Sequence, residues 1–438
     1  MADSRYLAVK LLVKTFKDGS YSNLQLNSGL GGSDLDERDK KLCSAIYYGV
    51  IERKITLDHI IKSFSSRPLN KLDDAVLNIL RSGIYQILYM DSVPDNAAVS
   101  ESVELAKKFA KTSASGMVNA ILRNFLRQGK KIKLPSDKIQ AVSVKYSVPE
   151  ELAKSLIDDY GEELAEDLFA NALEKSPVAI RKNNLRCSDE ELISSLAKDS
   201  AEAEKSTLIE GCYLLEGGDV MALDAFKQGF FHVQDISSQL CCYALNPAEN
   251  DVVLDLCAAP GGKTFTMAEL MNGRGEIRAF DLHEKRVKLI RDGAQRLGIE
   301  NIYAEKGDAM IFDPELTEFT KVLCDVPCSG FGVIGKKPEI KYKSLSDFKN
   351  LPDIQYKIAD NAVKYLSYCG EMIYSTCTLR KAENDEVCDR LLENHPELEA
   401  VPLPGILGEK FGSRASIFPC HFGSDGFFIA KFRKRNNI

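Results

Sequence analysis

From Asp3 to about Gln128 the apolar residues recur at helical spacing, as in Leu42, Ile46 and Val50 and again in Leu77, Leu80, Ile84, Ile87 and Leu88. Nothing in this stretch alternates with the period of two that a half-buried strand requires. Turn signals at Gly31-Gly32-Ser33, Ser66-Arg67-Pro68 and Val93-Pro94-Asp95 divide it into about six helices, with Asp36, Asp73 and Asn96 as candidate N-caps. The polar, basic string from Gln128 to Ser136 closes the pattern, which predicts an all-α domain over residues 1–138. Residues 149–175 are acidic and helical. After Pro177 short apolar runs appear, Val178-Ala179-Ile180 and Cys212-Tyr213-Leu214-Leu215, so residues 139–235 are expected to form a small mixed α/β connecting module.

From Asn250 the rhythm becomes strand, loop, helix, repeated. Strands are predicted at Val252 to Leu256, Gly275 to Phe280, Ile302 to Glu305, Lys321 to Cys324 and Glu371 to Tyr374, and the clearest intervening helices at Glu284 to Leu297 and Pro352 to Tyr368. Such alternation implies parallel strands joined by right-handed crossovers. The last stretch, Ala415 to Phe432, instead holds two strand-like runs around Gly423-Ser424-Asp425-Gly426, a hairpin signal. Residues 236–438 therefore read as an α/β domain with a mostly parallel sheet and an antiparallel terminal hairpin.

A chain of 438 residues is long enough for such a multidomain fold, and 44% hydrophobic with 28% charged residues is a globular composition. No apolar run approaches membrane-spanning length, and MADSRYLAVKLLVKTF carries charges where a signal peptide is uninterrupted, so a cytoplasmic protein away from membranes is expected. The twelve cysteines, scattered over a large chain, are expected to be reduced thiols, most of them core residues. The net charge of −7 is unevenly spread. Residues 1–138 hold 22 Lys and Arg against 15 Asp and Glu, leaving 35 against 49 for the rest. Between Lys107 and Lys138 nine basic residues (Lys107, Lys108, Lys111, Arg123, Arg127, Lys130, Lys131, Lys133 and Lys138) face one acidic residue, Asp137. A run of this kind is commonly a solvated helix face, but it is also what contact with RNA phosphates requires.

In open α/β sheets ligands bind at the carboxyl ends of the strands, and each predicted strand ends in something polar. The first runs into Asp255-Leu256-Cys257-Ala258-Ala259-Pro260-Gly261-Gly262-Lys263-Thr264, a loop of small residues entering a helix, whose free N–H groups can meet a ligand. Its spacings match neither the dinucleotide fingerprint nor a P-loop, and Gly-Gly alone can be merely a tight turn. Asp281 ends the second strand, where an acid can accept bonds from ribose hydroxyls, and Asp308 follows the third. Either could be a helix cap; together with the loop they favour a nucleoside-bearing cofactor. The fourth strand ends in Asp325-Val326-Pro327-Cys328-Ser329-Gly330 and the fifth in Ser375-Thr376-Cys377-Thr378, which would bring two thiols to one cleft. No metal is expected, since no second chelating pair or nearby histidine joins them. A thiol there is a nucleophile once it is a thiolate.

The strings DLCAAPGGKT (Asp255 to Thr264), DVPCSGFGVIGKKPEIK (Asp325 to Lys341) and YSTCTLRKAENDEV (Tyr374 to Val387) resemble the signature motifs of the RNA cytosine-5 methyltransferase family. Arg181-Lys182-Asn183 and Phe230 to Asp235 also fit its pattern. The helical front resembles the NusB RNA-binding fold, and the likeness to the bacterial members that act on 16S ribosomal RNA covers essentially the whole chain. The resemblance implies a Rossmann-like methyltransferase domain that binds S-adenosylmethionine through Cys257, Ala258, Ala259, Pro260, Gly261, Gly262 and Lys263, with Asp281 on the ribose and Asp308 near the adenine. It implies that Asp325 reaches both the methyl-donor region and the target base, that Cys377 is the nucleophile, and that Cys328 helps release the product. A monomer acting on 16S ribosomal RNA is expected. The segment Gly335-Lys336-Lys337-Pro338-Glu339 departs from the family, which usually carries arginines and a histidine there, and Thr378 stands where serine is common.

Other readings stay open: a transfer or 23S ribosomal RNA methyltransferase, a NusB-like RNA-binding factor without activity, and a DNA cytosine-5 methyltransferase. The last runs the same chemistry from the Pro-Cys cysteine, so the presence of Cys377 argues against it. Intact Cys328, Cys377, Asp325 and the small-residue loop argue against an inactive factor.

Overall fold

The helical period at the front of the chain is met by α1 (Ser4–Asp18), α2 (Ser22–Gly31), α3 (Glu37–Glu52), α4 (Lys54–Phe64), α5 (Asp74–Tyr89), α6 (Asp95–Lys108) and α7 (Ser115–Arg127). The structure is a computed structural model that describes residues 3–18, 22–109, 111–174, 177–216, 219–316 and 318–436. Asp36 caps α3 by accepting from the Asp39 N–H, and Asp73 caps α5 by accepting from the Ala75 N–H. Asn96 is not a cap: Pro94, with φ fixed near −60°, already starts α6, so the helix begins at Asp95. Ile46, Val50, Ile79, Leu80, Ile84 and Leu122 form a fully buried core. Truncating any of them to alanine should cost about 2–5 kcal/mol.

Three more helices, α8 (Lys138–Tyr146), α9 (Glu150–Tyr160) and α10 (Glu162–Asn171), pack into the same unit, which spans Met1–Leu173 together with Ile334–Ser344. The Thr56 hydroxyl donates to the Val144 carbonyl at 2.6 Å, which fixes α8 to α4. The short segment Ile334–Ser344 comes from much later in the chain. Within it, the Lys341 ammonium donates to the Glu52 carbonyl at 2.7 Å, the Tyr342 hydroxyl donates to the Ile51 carbonyl at 2.5 Å, and Glu339 accepts from the Ser22 hydroxyl. Lys341 is 1% exposed, so its charge is not a surface charge at all.

The second unit, Glu174–Val333 with Leu345–Ile438, holds two sheets. In the smaller, β1 (Val178–Lys182), β2 (Glu202–Lys205), β3 (Cys212–Glu216) and β4 (Phe231–Val233) pair antiparallel in the order β2-β3-β1-β4, flanked by α11 (Asp189–Lys198) and α12 (Asp224–Lys227). The sequence pattern points to β1 and β3; the charged β2 and the three-residue β4 leave no apolar run to read. Arg181 on β1 reaches Glu269 with Nε at 2.8 Å, and both side chains are almost wholly buried.

The larger sheet contains β5 (Val252–Asp255), β6 (Glu276–Asp281), β7 (Ile302–Lys306), β8 (Phe319–Asp325), β9 (Leu366–Thr376), β10 (Leu398–Ala400), β11 (Arg414–Ile417) and β12 (Phe427–Lys434). Its order is β10-β12-β9-β8-β5-β6-β7 with β11 also on β12. The five strands from β5 to β9 are parallel, and β12 runs antiparallel to β9, β10 and β11. Alternate residues serve two cores. Val253, Ile277, Leu323 and Ile373 face one side, with α13 (Ile236–Leu245), α14 (Gly262–Leu270) and α15 (Glu284–Leu297), while Leu254, Phe280, Val322 and Met372 face the other, with α16 (Leu351–Tyr365) and α17 (Asp385–Asn394). Burial on both faces is why these strands read as near-continuous apolar runs. Between β5 and β8 the strand order reverses, the place where such sheets hold ligands.

Candidate active site

Beyond β5 the chain turns sharply. The Ala258 N–H donates to the Phe280 carbonyl and the Gly261 N–H to the Ala258 carbonyl, both at 2.8 Å, and α14 begins at Gly262. Gly261 has φ +111°, and a Cβ there would lie 2.3 Å from the Phe265 ring, so the turn requires glycine. Beneath it, buried Asp255 accepts the Thr264 hydroxyl at 2.7 Å on Oδ2 and has no hydrogen-bond partner on Oδ1. Burial pushes its carboxyl up to about 7. Burial also raises the Cys257 thiol well above the ordinary range.

Asp281, 3% exposed at the end of β6, accepts the His283 N–H and pairs with Arg286 at 3.1 Å, while the same guanidinium donates to the Ala259 carbonyl at 2.7 Å. Arg286 thus ties the loop to the acid that follows it; in sequence it is one more basic residue of a helix. Asp308 accepts the Met310 N–H and lines a cavity of about 350 Å³ with Leu256, Phe280, Gly307, Ala309 and Phe312. Neither Asp281 nor residues 257–263 line it.

Asp325 ends β8 beside β9. Its Oδ2 accepts from Lys263 at 2.8 Å and its Oδ1 from the Ser375 hydroxyl at 2.9 Å. Lys263 also lies 5.0 Å from the Phe427 ring centre. The parallel register sets Asp325 opposite Ser375, and three residues further along one strand end and two along the other the Cys328 and Cys377 sulfurs come to 3.1 Å. The Cys377 sulfur, then burial, pushes the Cys328 thiol well above its ordinary pKa, with the charge of Glu383 adding to the shift. Among the described residues no group of His, Cys, Asp and Glu is arranged to hold a metal ion, and no helix is long and apolar enough to cross a membrane.

Sequence reasoning identifies Asp325 and both cysteines but not Ser375, Arg286 or the buried acid Glu383, whose partners lie 54 residues apart in Ser329 and 28 apart in Gln355. No local signal separates Glu383 from the other charged residues of its string. On the helical unit, Lys107, Lys108, Lys111, Lys130 and Lys138 are each paired with a carboxylate, whereas Arg123 and Arg127 contact the side chains of Asn119 and Asn124 on α7.

The pattern of the family described as 16S rRNA methyltransferase RsmB/F matches residues 242–433, that of the NusB family residues 2–127, and that of a ferredoxin-like domain of RsmF/B-like methyltransferases residues 148–221. "Probable ribosomal RNA small subunit methyltransferase B" of Bacillus subtilis is 37% identical over 98% of both chains. Ribosomal RNA small subunit methyltransferase B of Xanthomonas campestris is 30% identical over 98% of this chain and 97% of its own. Among solved structures, PH0851 superposes with a TM-score of 0.80 at 25% identity, covering 99% of each chain. Three matched segments in the order helical, ferredoxin-like and catalytic, within relatives alike from end to end, leave one assignment: the chain belongs to the S-adenosylmethionine-dependent RsmB/F family of 16S rRNA methyltransferases.

Proposed function

We propose that the protein methylates carbon 5 of a cytosine in 16S ribosomal RNA through a covalent adduct on Cys377. The observation that carries this reading is the pair of thiols 3.1 Å apart at the ends of adjacent parallel strands, beside the Lys263–Asp325 ion pair. Neither a structural thiol pair nor a one-cysteine mechanism needs that arrangement at the ligand-binding edge of the sheet.

The residues present fit the family's cofactor. The Gly261 turn leaves the loop backbone open to close approach, and the cavity beside Asp308 is of a size for a nucleobase. When bound, S-adenosylmethionine supplies an electrophilic methyl sulfonium. Residues Cys257 to Lys263 would cradle it, Asp281 would accept from the ribose and Asp308 from the adenine, while Asp325, held by Lys263 and Ser375, would serve donor and base. The functional parts are an RNA-binding portion over 1–138, a connecting portion over 139–235 and a catalytic portion over 236–438.

Carbon 5 of cytosine is a poor nucleophile. The Cys377 thiolate adds to carbon 6, the electron pair of the 5,6 double bond moves to carbon 5, and carbon 5 takes the methyl group. Cys328 begins as a thiol because its hydrogen bond with the Cys377 sulfur, then burial, then charge on that neighbour all oppose its ionisation. Once Cys377 is bonded to carbon its sulfur no longer opposes ionisation of Cys328, which gives its proton to solvent, then takes the carbon 5 proton and ends as a thiol as the Cys377 thiolate is expelled.

Cys377→Ala should abolish methylation of a 16S RNA fragment and give no covalent complex. Cys328→Ala should let the adduct form and slow its breakdown, leaving a protein–RNA species on a denaturing gel. A trapped species in Cys377→Ala instead, or one formed on a matching DNA and not on RNA, would overturn the assignment of nucleophile or substrate.

A further inference from the structure

Glu383 is 0% exposed, although it stands in the charged string Arg380-Lys381-Ala382-Glu383-Asn384-Asp385. An acid is retained in such a place only if every oxygen is engaged, because an uncompensated buried charge is strongly unfavourable. Its Oε2 accepts the Ser329 N–H at 2.9 Å and Gln355 Nε2 at 3.0 Å, and its Oε1 accepts Arg380 at 2.9 Å. Gln355 donates onward to the Pro327 carbonyl at 2.9 Å. Pro327 and Ser329 are the residues on either side of Cys328.

The next residue does the same for the other cysteine. Asn384, also 0% exposed, accepts the Thr376 hydroxyl at 2.6 Å and donates to the Thr378 carbonyl at 2.9 Å, holding the residues on either side of Cys377. A 2.9 Å contact between the Ser329 and Thr378 hydroxyls closes the ring, and the Tyr374 hydroxyl donates to the Glu383 carbonyl. One dipeptide therefore grips the flanks of both cysteines.

We propose that Glu383, with Asn384, is a positioning residue that sets the separation of Cys328 from Cys377 and so governs how fast the covalent adduct is resolved. The inference rests on the two-cysteine reading for its effect on turnover, but not for its effect on the thiols. Glu383→Gln offers one acceptor where the carboxylate offers two, and turns an amide N–H₂ toward Ser329 N–H, Gln355 or Arg380, all donors. The loop bearing Cys328 is then no longer fixed against the one bearing Cys377.

Two measurements test it in the full-length protein. In the first, iodoacetamide labelling across pH, read by mass spectrometry, should show Cys328 reacting at least threefold faster in Glu383→Gln than in the parent at pH 7.5, because its neighbour and a nearby negative charge no longer hold it as a thiol. In the second, turnover on a 16S RNA fragment should fall at least tenfold with KM for RNA and cofactor within twofold, and the denaturing-gel adduct should persist as in Cys328→Ala. Gln355→Met, which removes the two bonds donated by Gln355 Nε2 to Glu383 and to the Pro327 carbonyl but leaves the carboxylate and its bonds to Ser329 and Arg380, should shift both readouts in the same direction by a smaller factor and serves if Glu383→Gln does not fold. Unchanged labelling of Cys328 in a folded variant, or a loss of kcat in which no adduct persists, would sink the proposal. If Cys377→Ala keeps its activity, it is the two-cysteine reading that fails, and the labelling alone then decides the role of Glu383.

Discussion

Replacing Asp281 by alanine isolates the ribose contact from the rest of the proposed cofactor site. In the folded chain the carboxylate already serves the His283 N–H and the Arg286 guanidinium, both at 3.1 Å, so a ribose would be accepted on the remaining lone pairs. Charge-assisted hydrogen bonds contribute about 1.5–3 kcal/mol each, and sharing the acceptor brings two of them to the bottom of that range or below it, about 2–3 kcal/mol together. At about 1.4 kcal/mol per factor of ten, the dissociation constant for S-adenosylmethionine should rise roughly 30- to 150-fold. The change should cost the cofactor-free fold little. The Arg286 side chain is 51% exposed and keeps its bond to the Ala259 carbonyl, and a pair with one solvated partner is worth about 1 kcal/mol or less. Isothermal titration with S-adenosylmethionine, with thermal unfolding of the free protein as the control for folding, gives both numbers. A dissociation constant within threefold of the parent in a normally folded variant would refute the placement of the ribose. Asp281→Asn, which keeps one acceptor without the charge, should fall between the two.

Two further changes probe the helical unit. Burial pushes the Lys341 ammonium down to about 7 from an ordinary 10.5, so between those values the unfolded chain holds a proton the folded one has released. Stability should therefore rise with pH across that window, and below pH 7 the full penalty is present. Lys341→Met removes the penalty and the bond to Glu52; unfolding midpoints should show a net gain of about 1–3 kcal/mol at pH 6.5 that shrinks by pH 9.5, and an equal effect at both would contradict the assignment. On α7, the double change Arg123→Ala with Arg127→Ala should lower the slope of log RNA affinity against log salt by about 1–2, since each lost phosphate contact removes about 0.7–0.9. Lys108→Ala with Lys111→Ala should alter it less, as those charges are already matched by Asp3 and Asp73. Equal slopes for all three proteins would mean that this face does not meet RNA.

Much of this architecture is legible because it is local. A parallel strand buried on both faces writes a run such as Val252-Val253-Leu254, and the acids and thiols that follow each run stand at strand ends by position alone. The terminal hairpin is readable for the same reason, with Arg414 to Ile417 paired to Ala430 to Phe427. What escapes is whatever depends on a distant partner. The charge count over 107–138 could not register that Lys111 meets Asp73 or Lys130 meets Asp95. Asn96 looks like a cap until Pro94 claims the position. Lys341 reads as one more surface cation, because nothing beside it in sequence announces a carbonyl 289 residues earlier. Ser375 and Glu383 are small or charged residues in polar strings, and only pairing of β8 with β9 brings Ser375 to Asp325 and Glu383 to the loop that bears Cys328.

Residues 334–344 also bear on how the protein is made. The helices of the first unit leave the ribosome early, yet the piece that fills the space beside Glu52 is synthesised about 170 residues after the last of them. At about 5–20 residues per second that is a wait of roughly 10–30 s. Until then the sites that receive Lys341 and Tyr342 stay open in the nascent chain, and the front of the protein is an unfinished fold rather than a domain waiting for its partner. A gene fragment that ends before residue 344 should accordingly yield a less stable helical unit than its boundary at Leu173 implies, and adding a peptide of residues 334–344 in trans should restore part of the difference.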